Sequence, residues 1–440
     1  MPGSPLPPGE RQATPAPDRS GGHRGLFPLG AAVTMRDLDG ELHPLLRRLR
    51  EREPVSWLPV LGGWLVTRRD LALRVLRDTR TFTVDDPRFS TARVIGPSML
   101  SLDGAEHKRH RAPFAEAFRL AEMQERLEEV VEAEAGRLVS GFAAAGRAEL
   151  RRDLAGPLAV AAVADVLGLG QTDPKVILSW YDQIVGAVSA LAGESGEPGP
   201  EAESARAGEL GPDRARSALT RGSEAFGKLS ESLHRVMAGG SARDTTGARG
   251  DSLLAAAAAA GELSRSEVVS NAAVLAFGGI ETTEGMICNA VLYLLGRPGQ
   301  FREVAADRRL AQNAVEESLR LEPAAAVVDR YATADVPLAA AAIRQGDLVT
   351  VSLAGAGRDP AFFPEPDRFD VRRPNARQNL AFAHGPHFCL GAHLARLEAR
   401  AAVLALARLP GLRLDPARRQ APRGVVFRKP ASLHVLWDVP

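Results

Sequence analysis

Apolar residues recur every three or four positions along most of this chain, which is the pattern of amphipathic helices. This period predicts helices at residues 106–119, 123–142, 157–167, 175–191, 213–237, 264–295 and 392–409. Short runs rich in β-branched and aromatic residues predict strands at 55–60, 64–67, 327–332, 348–353, 425–427 and 433–437. The first two strands form a hairpin through Gly62 and Gly63. The expected fold class is mainly α, with a small β-rich part.

Two segments depart from this pattern. Residues 1–25 are rich in proline, glycine and serine and carry no apolar run, so we expect a disordered tail, neither a signal peptide nor a membrane anchor. Residues 193–212 separate two predicted helices and form a flexible loop, which is either a lid or a tolerated surface insertion. With no clear linker elsewhere, residues 26–440 are expected to form one domain.

Composition narrows the function classes. The 440 residues are 45% hydrophobic, enough for a large core, yet no stretch approaches the roughly 20 apolar residues that span a bilayer. The formal charge of +1 argues against a generic nucleic-acid binder. The 2 cysteines are too few for a disulfide scaffold. These features predict a cytoplasmic globular protein with neither a membrane nor a nucleic-acid partner.

The sharpest local chemistry surrounds Cys389, in the segment FAHGPHFCLGAHLAR at 382–396. A cysteine just before a helix meets free backbone N–H groups and the positive end of the helix dipole, and both favour the thiolate. Gly385 and Gly391 on either side would let the backbone approach a flat ligand. Walker loops, GxGxxG after a strand and serine hydrolase elbows are missing from the sequence.

The residues around Cys389 leave three interpretations open. His384, His387 and His393 could join Cys389 on zinc, although structural zinc sites favour paired CxxC or HxxxH spacing. Cys389 could also be an ordinary buried free cysteine. A single thiolate bound to haem iron is the interpretation that the flanking glycines favour.

The predicted helix 264–295 contains an unusual polar interruption. It opens with a capping box, Ser264 to Glu267, and its apolar middle is broken by the sequence GGIETT at 278–283. Each mid-helix glycine costs about 1 kcal/mol relative to alanine, and a threonine can bond back to the preceding turn and bend the helix. A polar face turned to water is the alternative explanation. Cys288, on the same helix, is expected to fill the core.

Two further pairs have helical spacing. Glu317 and Arg320 are three apart, and His107 and Arg111 are four apart, so each pair shares a helix face. Cationic donors such as the second pair suit the carboxylates of a ligand. Taken singly, each pair could equally be an exposed ion pair or a solvated surface.

Jointly and in this order, the motifs resemble those of the cytochrome P-450 family. They are DxxEHxxxR at 103–111, a variant of AGxET at 278–282, ExxR at 317–320 and FxxGxHxCxG at 382–391. Gly278 stands where the family has alanine, and Gly357 replaces the asparagine of an ANRDP-like segment at 356–360. The resemblance covers roughly residues 30–440 and implies one large helical domain with a small β-rich lobe.

The resemblance also implies roles for individual residues. Cys389 would be the iron ligand of haem b, and Glu281 and Thr282 would be catalytic residues that support proton delivery. Arg373 would join Glu317 and Arg320 in bracing the cysteine loop. The remaining cofactor-binding residues implied by the resemblance are His107, Arg111, Arg330, His387, Phe382, Gly391 and Gly278.

The implied activity is that of a haem-thiolate monooxygenase that inserts one atom of O2 into an apolar organic substrate, by hydroxylation or epoxidation. Tailoring of a secondary metabolite is the expected setting. The alternatives are a peroxygenase, desaturase or decarboxylase, or a haem-binding protein that is not an enzyme. The implied electron donors are a ferredoxin and its NAD(P)H-dependent reductase, docking on charges such as Lys108, Arg109 and Arg396. A monomer is expected.

Overall fold

The computed structural model describes residues 25–115, 120–170, 172–194, 212–238 and 253–439, together with His23 and Phe118. Most of the predicted tail and residues 195–211 of the predicted flexible loop lie outside the described residues. Within the predicted tail, the ring of His23 lies 4.9 Å from that of Trp57 and 5.0 Å from that of Trp64.

The helices form most of the described chain. In chain order they are α1 (Pro28–Ala31), α2 (Met35–Asp39), α3 (Leu42–Arg52), α4 (Arg69–Arg77), α5 (Ser90–Ile95), α6 (Gly104–Ala115), α7 (Leu120–Phe142), α8 (Gly156–Leu167), α9 (Pro174–Glu194), α10 (Pro212–Met237), α11 (Leu253–Ala259), α12 (Arg265–Leu295), α13 (Pro298–Ala306), α14 (Leu310–Leu321), α15 (Leu353–Ala356) and α16 (Ala392–Leu406). A short π-helix, Arg151–Ala155, leads into α8.

The strands form three small sheets. They are β1 (Val55–Leu58), β2 (Gly63–Val66), β3 (Phe82–Thr83), β4 (Arg147–Glu149), β5 (Val327–Ala332), β6 (Val336–Leu338), β7 (Ala341–Ile343), β8 (Leu348–Ser352), β9 (Arg413–Leu414) and β10 (His434–Leu436). The largest sheet has the order β1-β2-β8-β5-β3, with β2 and β8 parallel and its other pairs antiparallel. The order β4-β10-β9 makes the second sheet, and β6 pairs with β7.

The mainly α fold class is confirmed, and most predicted elements are present. The hairpin of β1 and β2 turns at Gly62, which has the left-handed φ of 60° that such a turn requires. The predicted strand 425–427 is wrong. In its place Phe427 makes an isolated bridge with Ala325, because the surrounding backbone pairs with loops and not with a strand.

Helix α12 is the central element. Its capping box is confirmed, since Ser264 and Glu267 each accept a hydrogen bond from the other's backbone N–H. It packs against α8, α14 and α16, and Cys288 is buried in its core face as expected. Across the part of the chain that the structure describes, no helix is both long enough and apolar enough to cross a membrane.

A fully buried ion group fixes the segment that leads to the cysteine loop. Glu317 pairs with Arg320 at 2.7 Å and with Arg373 at 2.9 Å, which confirms Arg373 as the third member. The two guanidiniums also donate to main-chain carbonyls of the segment, those of Gly357, Pro364, Glu365, Pro366 and Arg368. Because each buried donor has an acceptor, the group holds this irregular backbone in one conformation.

Gly357, whose presence the sequence left unexplained, lies against this group. A Cβ atom built at this position would lie 2.0 Å from the carbonyl oxygen of Arg320. That distance is far inside van der Waals contact, so the end of α14 can approach the segment only if residue 357 lacks a side chain.

A second buried acid, Glu322, joins the two ends of the chain. It accepts hydrogen bonds from His43 at 2.7 Å, from Arg428 at 2.8 Å and from Tyr293 at 3.1 Å. Burial alone would raise the pKa of Glu322, but His43 and the positive charges of Arg428 and Arg358 lower the pKa to about 2.

We therefore predict an acid-sensitive contribution to stability from Glu322. A carboxyl whose pKa is depressed on folding stabilises the protein above its ordinary pKa of 4.5, and this contribution is lost as the pH falls towards 2. The gap in unfolding free energy between wild type and Glu322→Gln should narrow by roughly 3 kcal/mol over that range. Urea unfolding of both proteins at a series of pH values from 7 downward measures this gap. The exposed pair of Glu303 with Arg372 provides the control variant Glu303→Gln, for which no such narrowing is expected. A gap independent of pH would contradict the prediction.

Candidate functional site

The loop that carries Cys389 is held by its own backbone. A 3-10 turn, Gly385–His387, precedes Cys389, whose N–H donates to the carbonyl of Phe382 at 3.0 Å. Gly385 has a left-handed φ of 77°, and a Cβ there would lie 2.5 Å from the carbonyl oxygen of Leu76. Only glycine therefore permits this turn to pack against the end of α4.

The thiol of Cys389 faces an open space. Its side chain is exposed, whereas that of Cys288 is buried. A methyl group built at Gly391, two residues further on, would meet no atom within 4 Å. Burial nevertheless raises the pKa of Cys389, while the N–H of Gly391 and the charges of Arg111 and Arg396 oppose this rise. The N–H of Gly391, at the start of α16, thus favours the thiolate, which is the effect that the sequence predicts for this position.

His107 and His387 lie side by side next to this loop. Their ring centroids are 4.2 Å apart, and His387 bonds to Asp103 at 2.8 Å. His107 is only 3% exposed, and its Nε2 atom has no partner. Burial, reinforced by the charges of His387 and Arg111, lowers the pKa of His107 to about 4. His107 is therefore neutral at pH 7, which corrects the expectation of a cation at this position.

Two arginines complete this side of the site, of which Arg330 is buried and Arg111 is partly exposed. Arg330, on β5, is 4% exposed, donates to the carbonyl of Asp329 and leaves its Nε atom without a partner. Arg111 donates to the carbonyl of Phe388 at 2.7 Å. Burial lowers the pKa of both guanidiniums. Neither forms an ion pair with any described residue. Because buried cations are normally paired, the buried guanidinium of Arg330 provides a place for an anionic group, and Arg111 adds a second positive charge next to the Cys389 loop.

The middle of α12 presents one accessible stripe. Between residues 268 and 291 every position is buried except Leu275, Gly278, Gly279 and Thr282. Leu275, Gly278 and Thr282 have the spacing of a single helix face. Thr282 donates its hydroxyl proton to the carbonyl of Gly278 at 2.5 Å, as its sequence context predicts. A polar face turned to bulk water is excluded, because the rest of this helix is buried.

Glu281 points to a different group of residues. Its carboxylate accepts a hydrogen bond from Tyr181 of α9 and lies 2.7 Å from the ammonium of Lys429. Lys429 also lies 2.7 Å from Glu284, which pairs with Arg151. Burial, followed by the charge of Glu281, raises the pKa of the Tyr181 phenol. Glu281 is thus held in an ion-pair network turned away from the stripe of Thr282.

Sequence reasoning missed these partners of Glu281. Tyr181 lies 100 residues before Glu281, and Lys429 follows in an irregular segment after the last helix. Neither belongs to a motif, and helical spacing relates neither of them to Glu281. The only signal in the sequence was the scarcity of lysine in a chain whose cations are mostly arginine.

The other histidines near Cys389 do not support the zinc alternative. His384 lies 3.4 Å from the guanidinium of Arg77, and His387 is engaged by Asp103. Among the described residues, no three histidine, cysteine or acidic side chains lie together as a metal site would require. A group that brings its own metal and needs only one protein ligand is compatible with this loop.

Cys389, His107, Arg111, His387 and Arg330 therefore lie in one region, in which Arg330 interacts with Asp103, the partner of His387. Arg111 contacts the residue beside Cys389, and His107 contacts His387 in the same loop. Together they provide a soft sulfur ligand and cationic donors. This donor set fits a planar metal-bearing group with carboxylates at one edge.

Comparisons with known proteins agree with this chemistry. A model of the cytochrome P450 family matches residues 245–409. The cytochrome P450 monooxygenase PikC of Streptomyces venezuelae is 34% identical over 86% of each chain. The mycinamicin IV hydroxylase/epoxidase of Micromonospora griseorubida is 35% identical, covering 88% of this chain and 94% of its own. The crystal structure of CalO2 superposes with a TM-score of 0.78 at 30% identity, over 93% of this chain and 99% of that one.

This chain belongs to the cytochrome P450 family. Its cofactor is haem b, and it is a monooxygenase, an oxidoreductase that uses O2, an organic substrate and external redox partners. The expected P450 fold, with its large helical part and small β-rich lobe, is confirmed.

The two adjacent glycines of α12 yield a matched pair of predictions. A methyl group at Gly278 meets nothing within 4 Å, so Gly278→Ala should stabilise the haem-free protein by about 1 kcal/mol through helix propensity. At Gly279 the new atom would lie 2.5 Å from Cγ2 of Val163 on α8, so Gly279→Ala should destabilise it by roughly 1–3 kcal/mol. Urea unfolding compares the two variants, and equal effects would refute this account of the helix contact.

Proposed function

We propose that this protein is a haem-thiolate monooxygenase in which Cys389 is the iron ligand, and that it hydroxylates or epoxidises an apolar secondary metabolite. The observation that carries the proposal is the exposed thiol of Cys389 together with the guanidiniums of Arg111 and of the buried Arg330, neither of which forms an ion pair with a described residue. The catalytic unit comprises residues 26–440. When bound, the haem supplies oxygen activation, and a thiolate ligand favours O–O cleavage.

The haem carboxylates would be held by Arg111, Arg330, His107 and His387. The unpartnered Nε atoms of Arg330 and Nε2 of His107 are donors that need an acceptor. Carboxylates there would supply both acceptors and countercharge for the guanidiniums of Arg330 and Arg111, which form no ion pair with a described residue. His107 would act as a neutral N–H donor. Gly391 and Gly278 would leave room for the flat ring, and Phe382 would pack behind Cys389.

Thr282 and Glu281 would support proton delivery. The Thr282 hydroxyl lies on the accessible stripe of α12, where it can exchange its bond to Gly278 for one to a ligand or water. Glu281, one residue earlier, would supply protons from its network with Tyr181 and Lys429. The acid that supplies the proton would thus be Glu281, and the hydroxyl that orients the proton would belong to the next residue, Thr282.

An apolar substrate is supported by the side chains next to this stripe. The ring of Phe277 lies 5.8 Å from that of Phe427 and 6.3 Å from that of Tyr181. The chain of residues 324–328 meets 423–427 through the hydrogen bond from Ala326 to Val426 and the bridge from Ala325 to Phe427. The names of the relatives, a mycinamicin IV hydroxylase/epoxidase among them, support a secondary metabolite as the substrate.

The electron donors would be a ferredoxin and its NAD(P)H-dependent reductase, in the cytoplasm. Of the three docking charges expected from the sequence, Lys108 is exposed. Arg109 is engaged by Glu106 and Glu267. Arg396 is only 12% exposed and was wrongly expected at a docking surface, because Glu316 draws its side chain inward. Among the three, Lys108 is therefore the residue that we propose for docking.

The iron ligand is tested by replacing each cysteine in turn. Cys389→Ala should abolish the thiolate-type absorption of the reduced carbonyl complex, because the other cysteine of the sequence, Cys288, is buried in α12. The matched control is Cys288→Ala, which removes a fully buried thiol and should leave that absorption intact. Survival of the thiolate-type absorption in Cys389→Ala would disprove the ligand assignment.

The role of Thr282 in proton delivery is tested by replacing each of the two adjacent threonines in turn. Thr282→Ala should keep the haem but divert most reducing equivalents to hydrogen peroxide, lowering product formed per NAD(P)H consumed by about tenfold or more. Thr283 is 2% exposed and lies off the accessible stripe, so Thr283→Ala should leave this ratio unchanged. The measurements are NAD(P)H consumption, peroxide and product. An unchanged ratio in Thr282→Ala would remove Thr282 from the proposal.

A further inference from the structure

Helix α14 carries two adjacent acids that serve different groups. Glu317 belongs to the buried group with Arg320 and Arg373. Glu316 turns the other way and lies 2.7 Å from the guanidinium of Arg396, with Asn379 donating to its other oxygen at 3.1 Å. Arg377 approaches the same carboxylate more loosely, at 3.8 Å. Two arginines therefore share one acid that is only 1% exposed.

Arg396 lies directly behind the cysteine loop. It belongs to the second turn of α16, the helix that follows Cys389. Its guanidinium carbon is 4.4 Å from the centroid of the Phe382 ring, and the carbonyl of Phe382 accepts the N–H of Cys389. The cation is thus fixed on one side by Glu316 and on the other by the aromatic face next to Cys389.

The two arginines differ in how far their charge can act. The side chain of Arg377 is 66% exposed, so water and salt screen it. The side chain of Arg396 is 12% exposed, and a charge in such surroundings interacts more strongly with its neighbours. Because two cations share the one carboxylate of Glu316, the group retains an excess of positive charge next to the loop.

We propose that Arg396 is a positioning residue that tunes the reduction potential of the haem, by holding a buried positive charge behind the Cys389 loop. The inference rests on the proposed assignment of Cys389 as the iron ligand. Reduction adds one electron to the iron, and a nearby fixed cation stabilises the added negative charge. Loss of this cation makes the iron harder to reduce, and Glu316, as the counter-charge, acts in the opposite direction.

The experiment is a spectroelectrochemical titration of the haem-loaded protein and four variants. In Arg396→Met the ratio of reduced to oxidised haem at a fixed potential should fall about tenfold, which equals ~59 mV for one electron. Arg396→Lys keeps the charge and should recover at least half of that loss. Arg377→Met, the matched control on the same acid, should titrate like wild type. Glu316→Gln removes the counter-charge and should shift the ratio in the opposite direction.

The outcomes separate this inference from the proposed function. If wild type lacks the thiolate-type absorption of the reduced carbonyl complex, the ligand assignment fails. If that absorption is present throughout and Arg396→Met titrates like wild type, or Arg377→Met shifts equally, the role of Arg396 is refuted. Should Arg396→Met fail to fold, Arg396→Lys and Glu316→Gln decide. A reduction potential below that of wild type in Arg396→Lys and above that of wild type in Glu316→Gln supports the role. Shifts of the same sign oppose it.

Discussion

The conformation of the cysteine loop depends on a carboxylate buried between two guanidiniums. Glu317 is 0% exposed, and with Arg320 and Arg373 it forms an ion group that is almost completely buried. Such a group is costly to bury and stable only when every donor is satisfied, a condition that the main-chain carbonyls of residues 357–368 meet. The irregular chain that precedes Cys389 is therefore tied to α14. In this way helix α14 helps to fix the position of Cys389, although Cys389 itself lies in a loop.

The two faces of the site obey different electrostatic rules. On the cysteine side, Arg111 and the buried Arg330 form no ion pairs with described residues, and burial, reinforced by the charges of His387 and Arg111, lowers the pKa of His107. On the side of α12, the acids Glu281 and Glu284 are matched by Lys429 and Arg151. The cysteine side thus carries more positive than negative charge, with Asp103 as its acid, whereas the side of Glu281 is already balanced. This asymmetry suits a site that must bind haem carboxylates and also retain an acid close to Thr282.

Sequence patterns predicted the elements more reliably than the contacts between them. Strand β5 was predicted with the bounds that it has, and the capping box of α12 identified its first turn, because both signals are local. The strand expected at 425–427 is only an isolated bridge, since pairing depends on a distant partner. The same limit explains Arg396. Its charge suggested a docking surface, but Glu316, 80 residues earlier, draws it inward.

The sequence by itself determined the family, the mainly helical class and the order of the motifs, because these depend on residue type and short-range spacing. It also identified Arg373 as the third member of the Glu317 group. Only the tertiary structure decided which charges are paired. The contacts of Glu281 with Tyr181 and Lys429 arise from groups that are far apart in the chain. The same is true of the lowered pKa of His107 and of the need for glycine at position 357. Burial and partnership are properties of the folded chain, and no local pattern encodes them.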